Sequence, residues 1–437
     1  MKHFCVIALL LAALPIVCRG QAELPSVPIS SAIAASLSVD EAVAEARQAN
    51  PEIRAAVRRL SLAQMKTTTA RSLDDPMLEV RDWSTPLRKP LDLNQAQLMF
   101  MLQQSFPNRQ KRDLRAKAAG DDAGVAAEEL EALRQQVDAD VRKACADLMR
   151  NADEMKLHDR QSSLLKEALA AALAEYTTGK VLQADVLRAQ MALTRLSEHL
   201  IELEEERDSA RAQLNTLLGR RSDEAVEIAG SYAIPARLPS IDELERVAIE
   251  HRPELAGLRK QIVQSQDQGQ LARLAMKPDF TVGAGYMLMP TGSNSRNAYM
   301  AEASMNLPWL NRERHDSETK QADAATEVTR AELEARTAIV FSEIRQAQVN
   351  VLSAQKRIKL YRDTLLPQAE AVFNASAAAY KNNRTEFQNL IDSQNLLLDI
   401  QTACYKASAA TDAGIAQLER AIGAPLATKS GTERTSK

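Results

Sequence analysis

Apolar residues along much of this chain recur at alternating steps of three and four. Leu130, Leu133, Val137, Val141, Ala144 and Leu148 are spaced 3, 4, 4, 3 and 4 apart. Leu193, Leu196, Leu200, Leu203, Arg207, Ala210, Leu214 and Leu217 step 3, 4, 3, 4, 3, 4, 3. That is the seam of helices packed lengthwise, as in a coiled coil. No proline falls between Pro107 and Pro235, and the soft point in that stretch is Tyr176-Thr-Thr-Gly179. The pattern predicts a very long helix over about 108–177, a reversal, and a second helix over about 181–218. A different period occupies two short stretches near 77–84 and 95–106. In the second, Ala96, Leu98, Phe100 and Leu102 alternate with Gln95, Gln97, Met99, Met101 and Gln103, the two-residue period of a strand.

The whole pattern occurs twice. Ser38-Val-Asp-Glu…Asn50-Pro51-Glu52-Ile53 returns as Ser240-Ile-Asp-Glu…Arg252-Pro253-Glu254-Leu255, an offset of 202. Pro76 and Val80 return as Pro278 and Val282, and Phe106-Pro107 as Leu307-Pro308, offsets of 202 and 201. Tyr176…Leu187…Gln190 and Gln213-Leu214…Gly219 return as Tyr380…Ile391…Gln394 and Gln417-Leu418…Gly423, both at 204. Register held within three residues over some 180 positions marks a duplication. The organisation expected is repeat one at 38–219, a linker at 220–239 and repeat two at 240–423. A polar, disordered tail follows at 424–437. Each repeat reads helix, strand, strand, very long helix, helix. Ser38 with Glu41, and Ser240 with Glu243, form capping boxes that open the first helices. Pro51 and Pro253 then kink or break them after a short lead-in. Strands of the second repeat are expected near 279–289 and 297–307, where Val282, Ala284, Tyr286 and Leu288 alternate with Gly283, Gly285 and Met287.

Length decides the architecture. At 1.5 Å per residue the long helix measures about 105 Å and its shorter neighbours, 38–72 and 181–218, about 53 and 57 Å. Laid end to end the short pair matches the long helix. A packed globule of this size is only about 45 Å across, so the helices form a rod or tube. Four strands with one apolar face cannot close a barrel alone. Several chains together can, and a closed barrel is the way strands cross lipid. No later apolar stretch of 18 residues offers a helical span.

Composition narrows the function. The net charge is −3 and no basic run of five appears, which gives no reason to expect nucleic acid. Aromatics are 4% of the chain, and no Ser/His/Asp, phosphate-binding or metal-ligand arrangement stands out, so no enzyme, cofactor or metal centre is expected. Residues 1–22 read as an export signal: Lys2 and His3, an apolar run Val6–Val17, and Gly20 or Ala22 for cleavage. A short extension, 23–37, follows. Cys18 leaves lipidation as an alternative. Cys145 and Cys404 lie inside predicted helices, where they read as small buried side chains, with oxidation after export the alternative. Of thirteen methionines, Met77, Met99, Met101, Met287 and Met289 fall in or beside strand segments, where they read as apolar filling, with metal handling the alternative.

The pattern Asp75-Pro76…Gln104-Ser105-Phe106-Pro107-Asn108-Arg109-Gln110-Lys111-Arg112, followed by Tyr176-x-x-Gly179…Asp185-Val186-Leu187-Arg188-Ala189-Gln190, resembles the TolC-type outer-membrane efflux factors. Within them it is most similar to the CzcC/CusC-type members of resistance-nodulation-division efflux systems. The resemblance implies a mainly α chain with a β-barrel portion. Three protomers of four strands each would form a 12-stranded barrel in outer-membrane lipid above a periplasmic helical tunnel. It implies a periplasmic adaptor (membrane fusion protein) and an inner-membrane pump as partners, with this chain a passive duct and heavy-metal cations one candidate cargo. It places Asp185, Asn389 and Asp392 at a periplasmic aperture, where Arg384 would pair with Asp185 or Asp392 as a latch. The simpler reading of the two acids is favourable placement in the first turns of helices. Thr178, Gly179, Lys180, Asn382 and Asn383 would form adaptor-docking tips, or serve only as turns. Pro76, Pro107, Pro278 and Pro308 would mark the strand–helix transitions. A non-transporting periplasmic coiled-coil scaffold or adaptor is the alternative function, but it gives no reason for the recurring strands.

Overall fold

The computed structural model describes residues 36–83, 97–179, 181–229, 238–289, 297–382 and 384–426. The expected export signal with Cys18, most of the extension, part of the linker, and Lys180 and Asn383 lie outside the described residues. Repeat one contains α1 (Val39–Ala49), α2 (Pro51–Arg71), β2 (Met77–Trp83), β3 (Gln97–Phe106), α3 (Arg109–Thr177) and α4 (Gln183–Leu218). Repeat two contains α5 (Ile241–His251), α6 (Pro253–Leu274), β5 (Phe280–Leu288), β6 (Asn297–Met305), α7 (Arg312–Leu360), α8 (Leu366–Lys381) and α9 (Phe387–Ile422). Two-residue strands β1 (Leu37–Ser38) and β4 (Ile228–Ala229) pair in parallel beside α1. Residue 37 and part of the expected linker therefore carry structure, and Val226 is buried there. Residues 424–426, expected as tail, also pack: Leu426 is buried and its N–H donates to Glu419 Oε1 at 3.0 Å.

The N-termini form as the residues dictate. Ser38 and Glu41 exchange both bonds of the capping box, and Ser240 Oγ accepts from Glu243 N at 3.3 Å. Each expected first helix is split in two by its proline, at Asn50 and at Arg252. Pro107 lies two residues before α3, and the cap is Asn108, whose side chain accepts from Gln110 N at 3.0 Å.

The two long tracks differ in one respect. α3 runs unbroken for 69 residues. Its counterpart opens with a 3-10 turn at Pro308–Asn311 and passes through a π turn, Tyr361–Leu365, before α8. Pro367 lies just beyond the π turn. A proline inside a helix donates no N–H and crowds the carbonyl four residues earlier, and a wider turn relieves both. The three extra residues of the second track, seen as the offset rising from 201 to 204, thus coincide with turns that are not α-helical.

α3 packs against α2 and α6 toward the strands and against α4 and α9 away from them, while α7 packs against α6 and α9. The seam read from the sequence is the core of repeat one: Leu130, Val137, Val141, Ala144 and Leu148 are buried with Leu214 and Leu218. Its equivalent gathers Val340, Ile344, Val351, Ile415 and Leu418. The short helices abut end to end, because Asn50 Nδ2 donates to the Leu217 carbonyl at 2.9 Å and Arg252 Nη1 to the Ala421 carbonyl at 2.7 Å.

The remaining strands form one antiparallel sheet in the order β2-β3-β5-β6. Each repeat contributes a hairpin, and the hairpins join through β3 and β5, with Met101 opposite Gly285 and Phe106 opposite Phe280. Among the described residues β2 and β6 are unpaired along their outer edges.

Candidate functional site

Two surfaces carry the functional question: the sheet and the two helix reversals at the far end of the long helices.

Alternation divides the sheet into two faces. Leu78, Val80, Leu102, Phe106, Phe280 and Val282 lie on one face, all large, apolar and exposed, with Tyr299 beside them 90% exposed. An apolar face left to solvent on this scale needs an apolar partner. The other face carries Glu79, Arg81, Gln97, Gln103, Thr281 and Glu302 together with methionines. On it Arg81 Nε donates to Glu79 Oε1 at 2.7 Å and Gln103 Nε2 to Glu79 Oε2 at 3.2 Å. One face is fit for lipid and the other for water.

At the foot of the sheet the four prolines stand where strands meet helices. Pro76 and Pro278 precede β2 and β5, Pro107 follows β3, and Pro308 opens the 3-10 turn after β6. Between the repeats, the buried Lys111 ammonium reaches Asp279 Oδ2 at 2.8 Å and the Lys277 carbonyl at 2.7 Å, and Asn108 N donates to Asp279 Oδ1 at 2.8 Å. Asn108-Arg109-Gln110-Lys111 therefore ties the start of α3 to the connection between α6 and β5 as well as capping a helix.

At the far end, Thr178 closes α3 with its hydroxyl donating to the Glu175 carbonyl at 2.9 Å. Gly179 follows at φ 74°, the left-handed conformation that glycine adopts freely. Asn382 closes α8, its amide donating to the Ala378 carbonyl at 2.8 Å. The two reversals are neighbours: Leu165, Ala189 and Leu196 of repeat one share a core with Phe387 and Ile391 of repeat two. Tyr380 packs its ring 5.5 Å from that of Phe387. Burial, with the nearby Glu175 and Asp185 charges, pushes the Tyr380 phenol above its ordinary range.

Asp185 lies in the first turn of α4, mostly shielded, and Asn389 and Asp392 lie exposed near the start of α9. Among the described residues, the expected latch from Arg384 is not formed. Asp185 accepts instead from Arg188 at 3.2 Å and Asp392 from Gln388 at 2.7 Å. Partners three and four residues along the same helix are already on the same face, whereas Arg384 would have to be ordered from the reversal. Asn389 donates to Thr385 Oγ1 at 2.8 Å.

Asn50 and Arg252, at the junction of the short helices, escaped the sequence reading because one is an amide and the other a guanidinium. Their shared position before Pro51 and Pro253 was the available signal. Among the described residues no helix is long and apolar enough to cross a membrane, and no group of three or more His, Cys, Asp or Glu is placed to hold a metal ion.

A family model described as outer membrane efflux protein matches residues 42–220 and 244–424. The chain is 24% identical over 407 residues to the cobalt-zinc-cadmium resistance protein CzcC of Cupriavidus metallidurans, spanning 92% of this chain and 94% of that protein. The crystal structure of CusC, solved for conformational changes accompanying folding and transmembrane channel formation, superposes with a TM-score of 0.74. It is 14% identical and the match covers 89% of this chain and 92% of that one. The open-state MtrE outer membrane channel of Neisseria gonorrhoeae gives 0.73 at 15% identity, covering 90% and 91%. These likenesses fix the fold, and the family model spans most of both repeats: the chain belongs to the outer membrane efflux protein family.

Proposed function

We propose that this outer membrane efflux protein is the exit duct of a tripartite efflux machine, carrying metal cations delivered by an inner-membrane pump through a periplasmic adaptor. The observation that carries this reading is the sheet: among the described residues it has four strands, a largely apolar outward face and two unpaired edges. An unpaired edge in lipid leaves backbone groups unsatisfied. Pairing β6 of one copy with β2 of the next removes both edges, and three copies give a barrel of 12 strands. The long helices beneath it continue as a periplasmic tube, and the exposed Trp309 and Leu310 after β6 suit the membrane boundary.

The metal assignment is supported by the likeness to a cobalt-zinc-cadmium resistance protein over nearly the full length of both chains. In this reading Asp185, Asn389 and Asp392 face the closed periplasmic aperture, and Thr178, Gly179, Lys180, Asn382 and Asn383 meet the adaptor. Residues 1–22 direct export and are removed.

A strain lacking this chain, profiled against metal ions, dyes and antibiotics, should become sensitive to divalent transition-metal cations. The protein should fractionate with the outer membrane as a heat-modifiable trimer. Recovery as a soluble periplasmic dimer would overturn the duct, and sensitivity confined to dyes and antibiotics would overturn the cargo.

A further inference from the structure

The two faces of the sheet differ in more than polarity. The outward face is built mainly from leucine, valine, phenylalanine, tyrosine and alanine, alongside Asp82 and Gln104, with Met305 at the end of β6 as its methionine. On the inward face, strand register and packing place Met77, Met99, Met101, Met287, Met289 and Met300. The apolar residues beside them there are Trp83 and Ala298. Filling space would draw on leucine as readily as the opposite face does. A segregation by sulfur calls for a property of sulfur.

Their arrangement is compact. One cross-strand row runs Arg81, Met99, Met287, Ala298, and the next runs Glu79, Met101, Gly285, Met300. Neighbouring strands lie about 4.8 Å apart and alternate residues about 7 Å apart, so these long side chains reach one another. Met99, Met101 and Met287 are buried together, with Met300 and Met289 packed against them. Glycines make the room. Met101 and Met300 face each other across Gly285, which has no side chain between them. A Cβ at Gly283 would stand 3.2 Å from Met101 Sδ. The sulfurs also meet polar groups: Gln97 Nε2 lies 3.1 Å from Met287 Sδ and Gln103 Nε2 3.3 Å from Met101 Sδ. Glu79 contributes a carboxylate in the same row as Met101.

We propose that Met99, Met101, Met287 and Met300 form a binding site for a soft monovalent cation, Cu(I) or Ag(I), on the inward face of the sheet. Neutral thioethers select soft metals, whereas cobalt and zinc prefer nitrogen, oxygen or thiolate donors. The site lies within one chain, so it does not depend on the number of copies in the barrel or on the cargo assigned above.

The test uses the full-length protein purified in detergent and titrated with Ag(I) alone. Saturable binding is expected, with silver–sulfur scattering in X-ray absorption and no competition from Zn(II). The volume-conserving variant M99L/M101L/M287L/M300L should keep the heat-modifiable oligomer and bind Ag(I) at least about tenfold more weakly. Should that variant fail to assemble, M101L and M300L singly should each weaken binding severalfold. Equal affinity in wild type and leucine variants, or bound silver without sulfur neighbours, would overturn the site. Both readouts concern purified protein, so their failure leaves the efflux reading standing, and a deletion strain without metal sensitivity leaves the site standing.

Discussion

At the scale of single residues, the duplicated junction keeps its job while changing its chemistry. Asn50 and Arg252 each donate to a carbonyl in the last turn of the abutting helix. The amide is enough in repeat one. In repeat two the fully buried guanidinium also takes Glu254 at 3.1 Å and Glu343 at 2.5 Å, since a buried charge must be paired. Gly219 and Gly423 end α4 and α9 at φ 69° and 73°. A Cβ on Gly219 would strike the Ala49 carbonyl, and one on Gly423 would sit 2.6 Å from the His251 carbonyl. Gly423→Ala should therefore cost about 1–2 kcal/mol for the left-handed backbone, and more for the contact, read as a lower midpoint of thermal unfolding. A second prediction concerns Asp412 in α9, where burial pushes the carboxyl from 3.8 up to about 6 and Oδ1 has no hydrogen-bond partner among the described residues. The folded chain keeps this proton at a pH where the unfolded chain has lost it. That contribution is whole below about pH 4 and is lost as pH climbs through about 6. Asp412→Asn should remove this decline and be more stable at pH 7 by about 1 kcal/mol, after discounting for partial exposure, as followed by circular dichroism melts from acid to neutral pH. The Cys145 thiol, pushed by burial to about 12, should stay unreactive toward alkylating agents in the folded protein.

Among elements, what the sequence displayed best was whatever repeats along one chain. The seam through Leu130, Val137, Val141 and Leu148 was legible because helical period and burial are the same fact seen twice, and it is buried as read. The four strands were legible through alternation, strengthened by the duplication. Two features were not. The π turn at Tyr361–Leu365 answers to Pro367, but a proline alone does not say whether a helix will kink, end or widen. The partner of Asp185 depended on which of two arginines lay nearer in space, and helix geometry favoured Arg188 over Arg384. At this scale the reversals are the place to test gating. Removing two carboxylates from a narrow pore should admit ions with less regard to sign. Asp185→Ala combined with Asp392→Ala should raise single-channel conductance and lower cation preference in planar bilayers, and unchanged conductance and selectivity would remove the aperture assignment. Lower conductance would mean that Arg188, freed from Asp185, now obstructs the pore.

For the whole molecule, barrel closure depends on which side of the sheet meets lipid, and β3 allows this to be tested with adjacent residues. Leu102 lies on the apolar face, 55% exposed, and Gln103 lies on the other, donating to Glu79. Both are near the middle of the strand, so they share depth, backbone pairing and distance from the helices. If three copies close a barrel, Leu102 faces the hydrocarbon and Gln103 the water-filled interior. A lysine on the lipid side near the bilayer midplane costs about 2–4 kcal/mol in each copy, and closure multiplies that penalty. A lysine on the interior displaces a polar side chain and can reach Glu79 or water. Leu102→Lys should therefore sharply reduce the heat-modifiable oligomer recovered from the outer membrane, while Gln103→Lys assembles normally and shifts ion selectivity toward anions. A soluble helical scaffold predicts the reverse ordering, because there a charge on the exposed face is harmless and one beside the buried methionines is not. Equal assembly of the two variants would leave neither face distinguished by lipid, and the barrel would lose its support.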